Sequence, residues 1–545
     1  MLRSIFVFLI CVVLTVLVTA QDKAIISGAL STNANVFLRD SSINAINTPQ
    51  YDRQFFGGES WLNLNYSYQG FTVSTRFDMF NNSNLRNPTG SFTGIGIGRW
   101  HVKKTLGKLD LQAGYIYDQI GSGLIFRSFE TRPLFIDNAM YGVSGKYNFS
   151  DSWNLMGFIG RQKDAFDVFE GSLKGLRAEG FISVGDAGDL TLAPGVGLVM
   201  RTISDSDMEG VVNAVRSYLP EDRFIPNYNA YSGTIYNLAS YKGISLYTEV
   251  AVKSNDAFYN PFAPKQEIIG TTLGKLEQKH GTVLYGSLSV AEGNLGVTID
   301  AKRTENFNFR IDPNLRLLRG LINYLTPVNR QNTYRLTARY SPAPQDISEM
   351  AYGVDIKYKF SKAWSTNINF SDIKTIDGDR LFQELFTEVT YKKDRLWRLL
   401  GGLQLVTYNQ EIYEMKSEVP LVKTIVPYAD FLYRFDPYTT LRTEFQYMDT
   451  KQDFGSWMFG LLEYSFKSAW IVEVSGMYNI NPKIVNPKGD LSKIFYPTAG
   501  VVYSKASQRY SLRYVKQVEG IVCSGGICRL EPAFSGVRFS LDTTF

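Results

Sequence analysis

The chain has 545 residues and a formal net charge of +5, with 57 Lys and Arg against 52 Asp and Glu, and 14% of it is aromatic. So even a balance argues against a nucleic-acid binder. Beyond residue 20 no uninterrupted apolar stretch approaches the roughly 20 residues that a membrane helix needs, so the mature protein is either soluble or crosses a membrane as strands.

Met1 to Ala20 carries one positive residue, Arg3, an apolar run from Ile5 to Val18, and the small-residue ending Val18-Thr19-Ala20 before Gln21. This is the pattern of a secretory signal peptide over residues 1–20. Cys11 lies inside the apolar run rather than at the cleavage point, which speaks against a lipoprotein. The mature part, 21–545, loses only Arg3 from its charge count, which falls from +5 to about +4.

Strand-like sequence begins near Ile25. Leu62, Leu64, Tyr66 and Tyr68 recur at every second position, then Phe71, Val73, Thr75, Phe77 and Met79 alternate with Thr72, Ser74, Arg76 and Asp78. The theme returns at Ile244, Leu246, Thr248, Val250 and Val252, and again from Met350 to Phe360. Successive side chains of a strand point to opposite faces, so these runs present one apolar and one polar face. Short turns such as Gln69-Gly70, Thr105-Leu106-Gly107, Ser361-Lys362 and Phe435-Asp436-Pro437 alternate with longer connections at 39–58, 81–92, 119–138, 204–228, 255–280 and 409–422. That rhythm, with the aromatic content, predicts an all-β fold: a single large antiparallel transmembrane β-barrel over 21–545 with long extracellular loops. A mean hydropathy of -0.13 is compatible, because only alternate residues would meet lipid. About 25 segments fit the pattern, whereas a barrel with both ends in the periplasm needs an even number, so 24 or 26 are expected. The misfit lies between 305 and 348, where Asp312 to Ile322 suits a short amphipathic helix or a hidden strand. No repeat of 20 to 50 residues supports the alternative of a solenoid or a string of sandwiches.

Few residues suggest chemistry. Gly94-Ile95-Gly96-Ile97-Gly98 has no helix following it, so its glycines read as a place of inward crowding on a strand rather than a phosphate loop. The two histidines, His101 and His280, lie far apart. His101 reads as a polar wall residue and His280 as exposed loop. No HExxH, P-loop, Cys/His cluster or Ser-His pairing appears, so neither an enzyme, a cofactor nor a metal is expected. The segment Gly114 to Asn138 gathers Arg127, Glu130, Arg132 and Asp137. Its two readings are a loop folded into the lumen whose charges narrow a constriction, and a solvated external loop whose charges pair locally. Cys523 and Cys528, separated by a Gly-Gly turn, suit a disulfide across an external hairpin tip in an oxidising compartment. The chain ends on an alternating strand in which Val537, Phe539, Leu541, Thr543 and Phe545 share one face. With Gly536, Phe539, Leu541 and the terminal Phe545, it resembles the signal that barrel-assembly machinery recognises in Gram-negative outer membranes.

The segment Gly114 to Asn138, together with Cys523, Gly525-Gly526, Cys528-Arg529, Pro532-Ala533 and Gly536, resembles an uncharacterised family of barrel proteins from Bacteroidetes outer membranes. Phe135 stands where that pattern often carries Gly. The resemblance implies an outer-membrane address and a barrel, and brings no activity with it. The functional expectation is a porin-like channel for small polar solutes. The alternative is a non-transporting scaffold or accessory subunit of an assembly, secretion or surface complex. Outer-membrane lipids, the assembly machinery and such complex subunits are the expected partners, with no nucleic acid. A receptor with a separate amino-terminal plug is disfavoured, since strand sequence starts almost at once.

Overall fold

The computed structural model describes residues 24–545 apart from 186–188, 267–269, 317–318, 486–490, 492 and 525–526, and the side chains of 521–528 lie outside that description. The expected signal peptide falls outside the described residues. Twenty-four antiparallel strands form one closed sheet, counting Ile182–Val184 as the continuation of Asp167–Gly180, since both pair with Leu190–Thr202. Closure comes from the first strand, Ile25–Phe37, which pairs with Phe56–Tyr68 on one edge and with the last strand, Phe534–Thr544, on the other. In that seam Val36 stands opposite Val537 and Ala29 opposite Thr544. The Phe545 and Gly28 backbones then exchange two hydrogen bonds of 2.7 and 3.0 Å.

The period-two alternation places side chains as expected. Arg76, Asp78 and Phe80 are buried inside, while Phe77 and Met79 between them are exposed. The outer wall is apolar along its middle: Ile95, Leu198, Ile235, Val252, Val474 and Leu512 are all more than half exposed. A continuous surface of that kind suits lipid rather than water. Near the short-turn end, rings touch from strand to strand, from Trp364 through Tyr391, Trp397, Phe431, Tyr433 and Phe435 to Tyr464, and on through Phe466 and Trp470 to Tyr503. This is an aromatic girdle, the feature that sits at a membrane interface.

One of the expected long connections differs. Residues 255–280 are mostly strand, because Ile244–Gln266 and Thr271–Glu292 extend as one long hairpin past the rim. His280 is therefore an exposed strand residue, not a loop residue. The helix Asp205–Arg216, capped by the Ser204 hydroxyl accepting from the Asp207 N–H, packs Val211 and Val215 with Ala257 and Leu276 of that hairpin. Spacing of four residues puts both valines on one helical face. The misfit at 305–348 also resolves. The described residues of 306–347 hold neither helix nor strand, only an isolated bridge between Arg310 and Leu321, and the rhythm changes because this connection turns into the lumen.

Candidate functional site

The lumen is occupied by two of the barrel's own connections. The first leaves the wall early, because Leu109–Ile116 and Met140–Asn148 are short strands. Gly114, at φ +102, permits the departure, and a Cβ there would lie 2.4 Å from the Trp100 carbonyl oxygen. The chain then crosses inward and buries Ile120, Leu124, Ile125 and Phe126 against wall residues such as Met156, Phe158 and Val199. Its tip, Gly121-Ser122, reaches the buried Glu249, which accepts from the Ser122 N–H at 2.9 Å and from Thr234 and Tyr247. The second connection, 306–347, adds Phe307, Phe309, Ile311 and Ile322 to the same cluster and Val328, Leu336 and Tyr340 to a second one lined by the opposite wall.

An irregular segment survives in a closed interior only if its backbone groups find partners. The wall supplies them. Lys253 donates to the Asn308 carbonyl at 2.6 Å, Lys302 to that of Thr326 at 2.7 Å and Gln404 to that of Thr337 at 2.9 Å, while Gln446 accepts from the Leu336 N–H at 2.7 Å. The two connections also bond to each other, Arg127 N–H to the Ile322 carbonyl at 2.9 Å and Tyr324 N–H to that of Gly123 at 3.0 Å.

At the edge of this plug lies a buried charge cluster. Arg76 donates to both oxygens of Asp78 at 2.6 and 2.8 Å, to Glu130 at 2.5 Å and to Asp137 at 2.9 Å. Lys163 adds a contact of 2.5 Å to Asp137, Tyr117 donates to the same carboxylate at 2.6 Å, and Arg132 reaches Glu130 at 3.1 Å. Burial works to raise the Asp137 carboxyl, but Lys163 and Arg76 more than offset it and hold it below its ordinary range. Burial and the neighbouring Asp137 push the Tyr117 phenol up, so it stays a donor. The cluster thus ties the loop segment 130–137 to two strands of the wall.

Three of the four loop charges singled out in the sequence, Glu130, Arg132 and Asp137, come together here. Arg127 does not; its guanidinium lies over Tyr324 at 4.1 Å. Sequence reading missed Arg76, Asp78, Lys163 and Glu249. The alternation places Arg76 and Asp78 on the inner face, but only the fold of the loop shows what they meet. Gly94, Gly96 and Gly98 crowd inward: a Cβ on Gly98 would lie 1.8 Å from the Asp78 carboxylate. His101 bonds to Gln112 across the wall at 3.0 Å. Phe135 adopts the left-handed region at φ +54, a conformation that Gly takes without strain. Cys523 and Cys528 stand directly opposite in a two-stranded ladder, with their side chains outside the described residues. In the terminal strand Phe539 and Phe545 are exposed, Leu541 is half-exposed, and Gly536 is a close approach, since a Cβ would fall 2.0 Å from the Val36 oxygen. Among the described residues no three His, Cys, Asp or Glu side chains group as a metal site.

The 117–139 loop separates two cavities. One of about 730 Å³ opens toward the long-loop rim above the charge cluster and is lined by Arg86, Arg319, Lys416 and Asp453 among others. The second, about 740 Å³, lies toward the short turns, beside Lys108, Lys146, Glu179 and the loop tip at Gly121.

Among solved structures, the P pilus usher (PapC) translocation pore is 10% identical, with a TM-score of 0.41 over 96% of this chain and 99% of that one. The siderophore receptor PirA from Pseudomonas aeruginosa is 6% identical, with a TM-score of 0.41 over 97% and 81%, and OccAB4 of Acinetobacter baumannii is 9% identical, with 0.34 over 72% and 97%. At that level nothing about activity passes from them to this chain. No curated relative matches. A family model described as a family of unknown function, DUF6029, matches residues 1–545, and the chain belongs to that family.

Proposed function

We propose that this is an integral outer-membrane β-barrel of a Gram-negative bacterium, closed at rest, that admits a ligand to the cavity under its long loops and passes it only when the 117–139 segment moves. The observation that carries this reading is the filled lumen, with Leu124, Ile125, Phe307 and Phe309 wholly buried against one side of the wall and Val328, Leu336 and Tyr340 buried against the other. A permanently open porin for small polar solutes needs a wet passage at that level and is the poorer fit. The apolar outer band and ring girdle support lipid contact, and the terminal strand supports delivery by barrel-assembly machinery. A Bacteroidetes source belongs to the same proposal, on the strength of the resembling segments.

The scaffold or accessory reading keeps one observation in its favour, that the two connections interlock like a domain core. Planar bilayer recordings separate the readings. The intact chain is expected to stay silent, and a variant with 118–136 replaced by a short Gly-Ser turn to show stepwise conductance. Conductance from the intact chain would overturn the closed barrel. A silent shortened variant that still folds would favour the scaffold.

A further inference from the structure

The ladder of the wall is interrupted beside strand Phe92–Leu106. Strand Phe92–Leu106 pairs along nearly its full length with Phe71–Ser83, but with Leu109–Ile116 only from His101 to Leu106. Between Thr93 and Gly98 its second edge meets no strand among the described residues. Across the gap, Trp153–Asp164 is paired with Met140–Asn148 only up to Gln162. The notch therefore stands above Ile116 and Met140, where the 117–139 loop departs. Ile95 and Ile97 flank it on the outside, 79% and 52% exposed, so the surrounding surface is apolar at the notch's own height. Open sheet edges are unfavourable against hydrocarbon unless something covers them.

Aromatic rings cover this one. Phe166, at the tip of the hairpin between Trp153–Asp164 and Asp167–Gly180, lies against Gly94 and Gly96, where a Cβ would come within 3.0 and 3.4 Å of its ring. Phe80, Phe92 and Phe135 complete the set: Phe166 stands 6.0 Å from Phe80, and Phe135 stands 5.3 Å from Phe80 and 5.8 Å from Phe92. Phe80 and Phe135 also line the outer cavity. At that inner end Arg86 and Arg319 share a single carboxylate, Asp164, at 3.3 and 2.8 Å, and Arg86 lies over the Phe92 ring at 5.3 Å. Two guanidinium groups on one carboxylate leave positive charge unbalanced beside an apolar passage.

We propose that the notch is a lateral portal, shuttered by Phe92, Phe135 and Phe166, through which an amphiphile with an anionic head group moves between the outer leaflet and the cavity. The alkyl chain passes the rings and the head group settles on Arg86 and Arg319. This rests on the membrane reading above but not on the lumen being closed, so conductance and amphiphile binding fail independently.

The test uses the full chain in phosphatidylcholine nanodiscs and a fluorescent long-chain alkyl phosphate, with the matching alkyl alcohol and inorganic phosphate as controls. Saturable binding of the alkyl phosphate is expected. Arg86→Gln with Arg319→Gln should weaken it by roughly tenfold, the loss of charge-assisted contacts, without changing binding of the alcohol. Phe166→Ala should speed association several-fold and Gly96→Leu should slow it; if Gly96→Leu fails to fold, Phe166→Ala alone decides the route. Absence of saturable binding would overturn the proposal. So would competition by millimolar inorganic phosphate, which would make the cavity a site for a soluble anion, or an association rate unchanged in folded Phe166→Ala.

Discussion

Arg76→Met should release the 117–139 loop from the wall. The guanidinium is buried and makes four contacts of 2.5 to 2.9 Å with three carboxylates. After its removal Asp137 keeps Lys163 at 2.5 Å and Glu130 keeps Arg132 at 3.1 Å, but Asp78 loses its two guanidinium contacts. Breaking a buried pair by deleting one partner costs about 3 to 5 kcal/mol, because the remaining charge is left desolvated. The partial compensation at Asp137 and Glu130 puts the cost near the lower end, about 3 kcal/mol, which corresponds to a shift of roughly a hundredfold in the opening equilibrium of the loop. Hydrogen exchange at the amides of 118–136, followed by mass spectrometry in detergent, reads that shift directly. Adding Asp78→Asn should restore part of the protection, since the uncompensated carboxylate is then gone. Unchanged exchange in Arg76→Met, or a double variant that opens further than the single one, would refute the reasoning.

Gly98→Ala should act on the same cluster from the other strand. Its Cβ would meet the Asp78 oxygen at 1.8 Å and push the carboxylate off Arg76, costing about 1 to 3 kcal/mol as overpacking, to be read as a lower temperature for loss of the compact electrophoretic form. A wild-type midpoint would show that Asp78 swings aside freely. The depressed Asp137 pKa makes its contribution fully present above its unfolded value and lost as pH falls through the lower folded one. Loop protection should therefore hold at about pH 5 and fall only below about pH 3.9, and loss already at about pH 5 would contradict that sign. We propose that Cys523 and Cys528 form the disulfide expected from their spacing: alkylation of the mature protein should add mass only after reduction, and two thiols reacting without reductant would overturn it.

Much of the barrel was legible because period-two alternation is a local property. Residues such as Phe77 and Arg76 announce opposite faces through adjacency alone, and a closing strand that alternates to Phe545 needs no distant information to be recognised. The 255–280 stretch was harder. Its strands extend past the apolar band, and side chains there, such as Lys279 and His280, carry no lipid-facing signature. The connection 306–347 was misread for the opposite reason. Its apolar residues, Phe307, Phe309 and Ile311 among them, recur like a strand but are buried against a wall built from distant parts of the chain.

Alternation along the chain already shows that an apolar face and a polar face run the length of the molecule, and hence that strands must close on one another. That follows from side-chain geometry within each strand. What fills the enclosed space was decided only by tertiary structure. Arg76, Glu130, Asp137 and Lys163 are separated by up to 87 positions and become one cluster only after a loop turns inward. Whether those charges line a passage or fasten a plug depends on that turn, because a buried charge is stable only beside its partner.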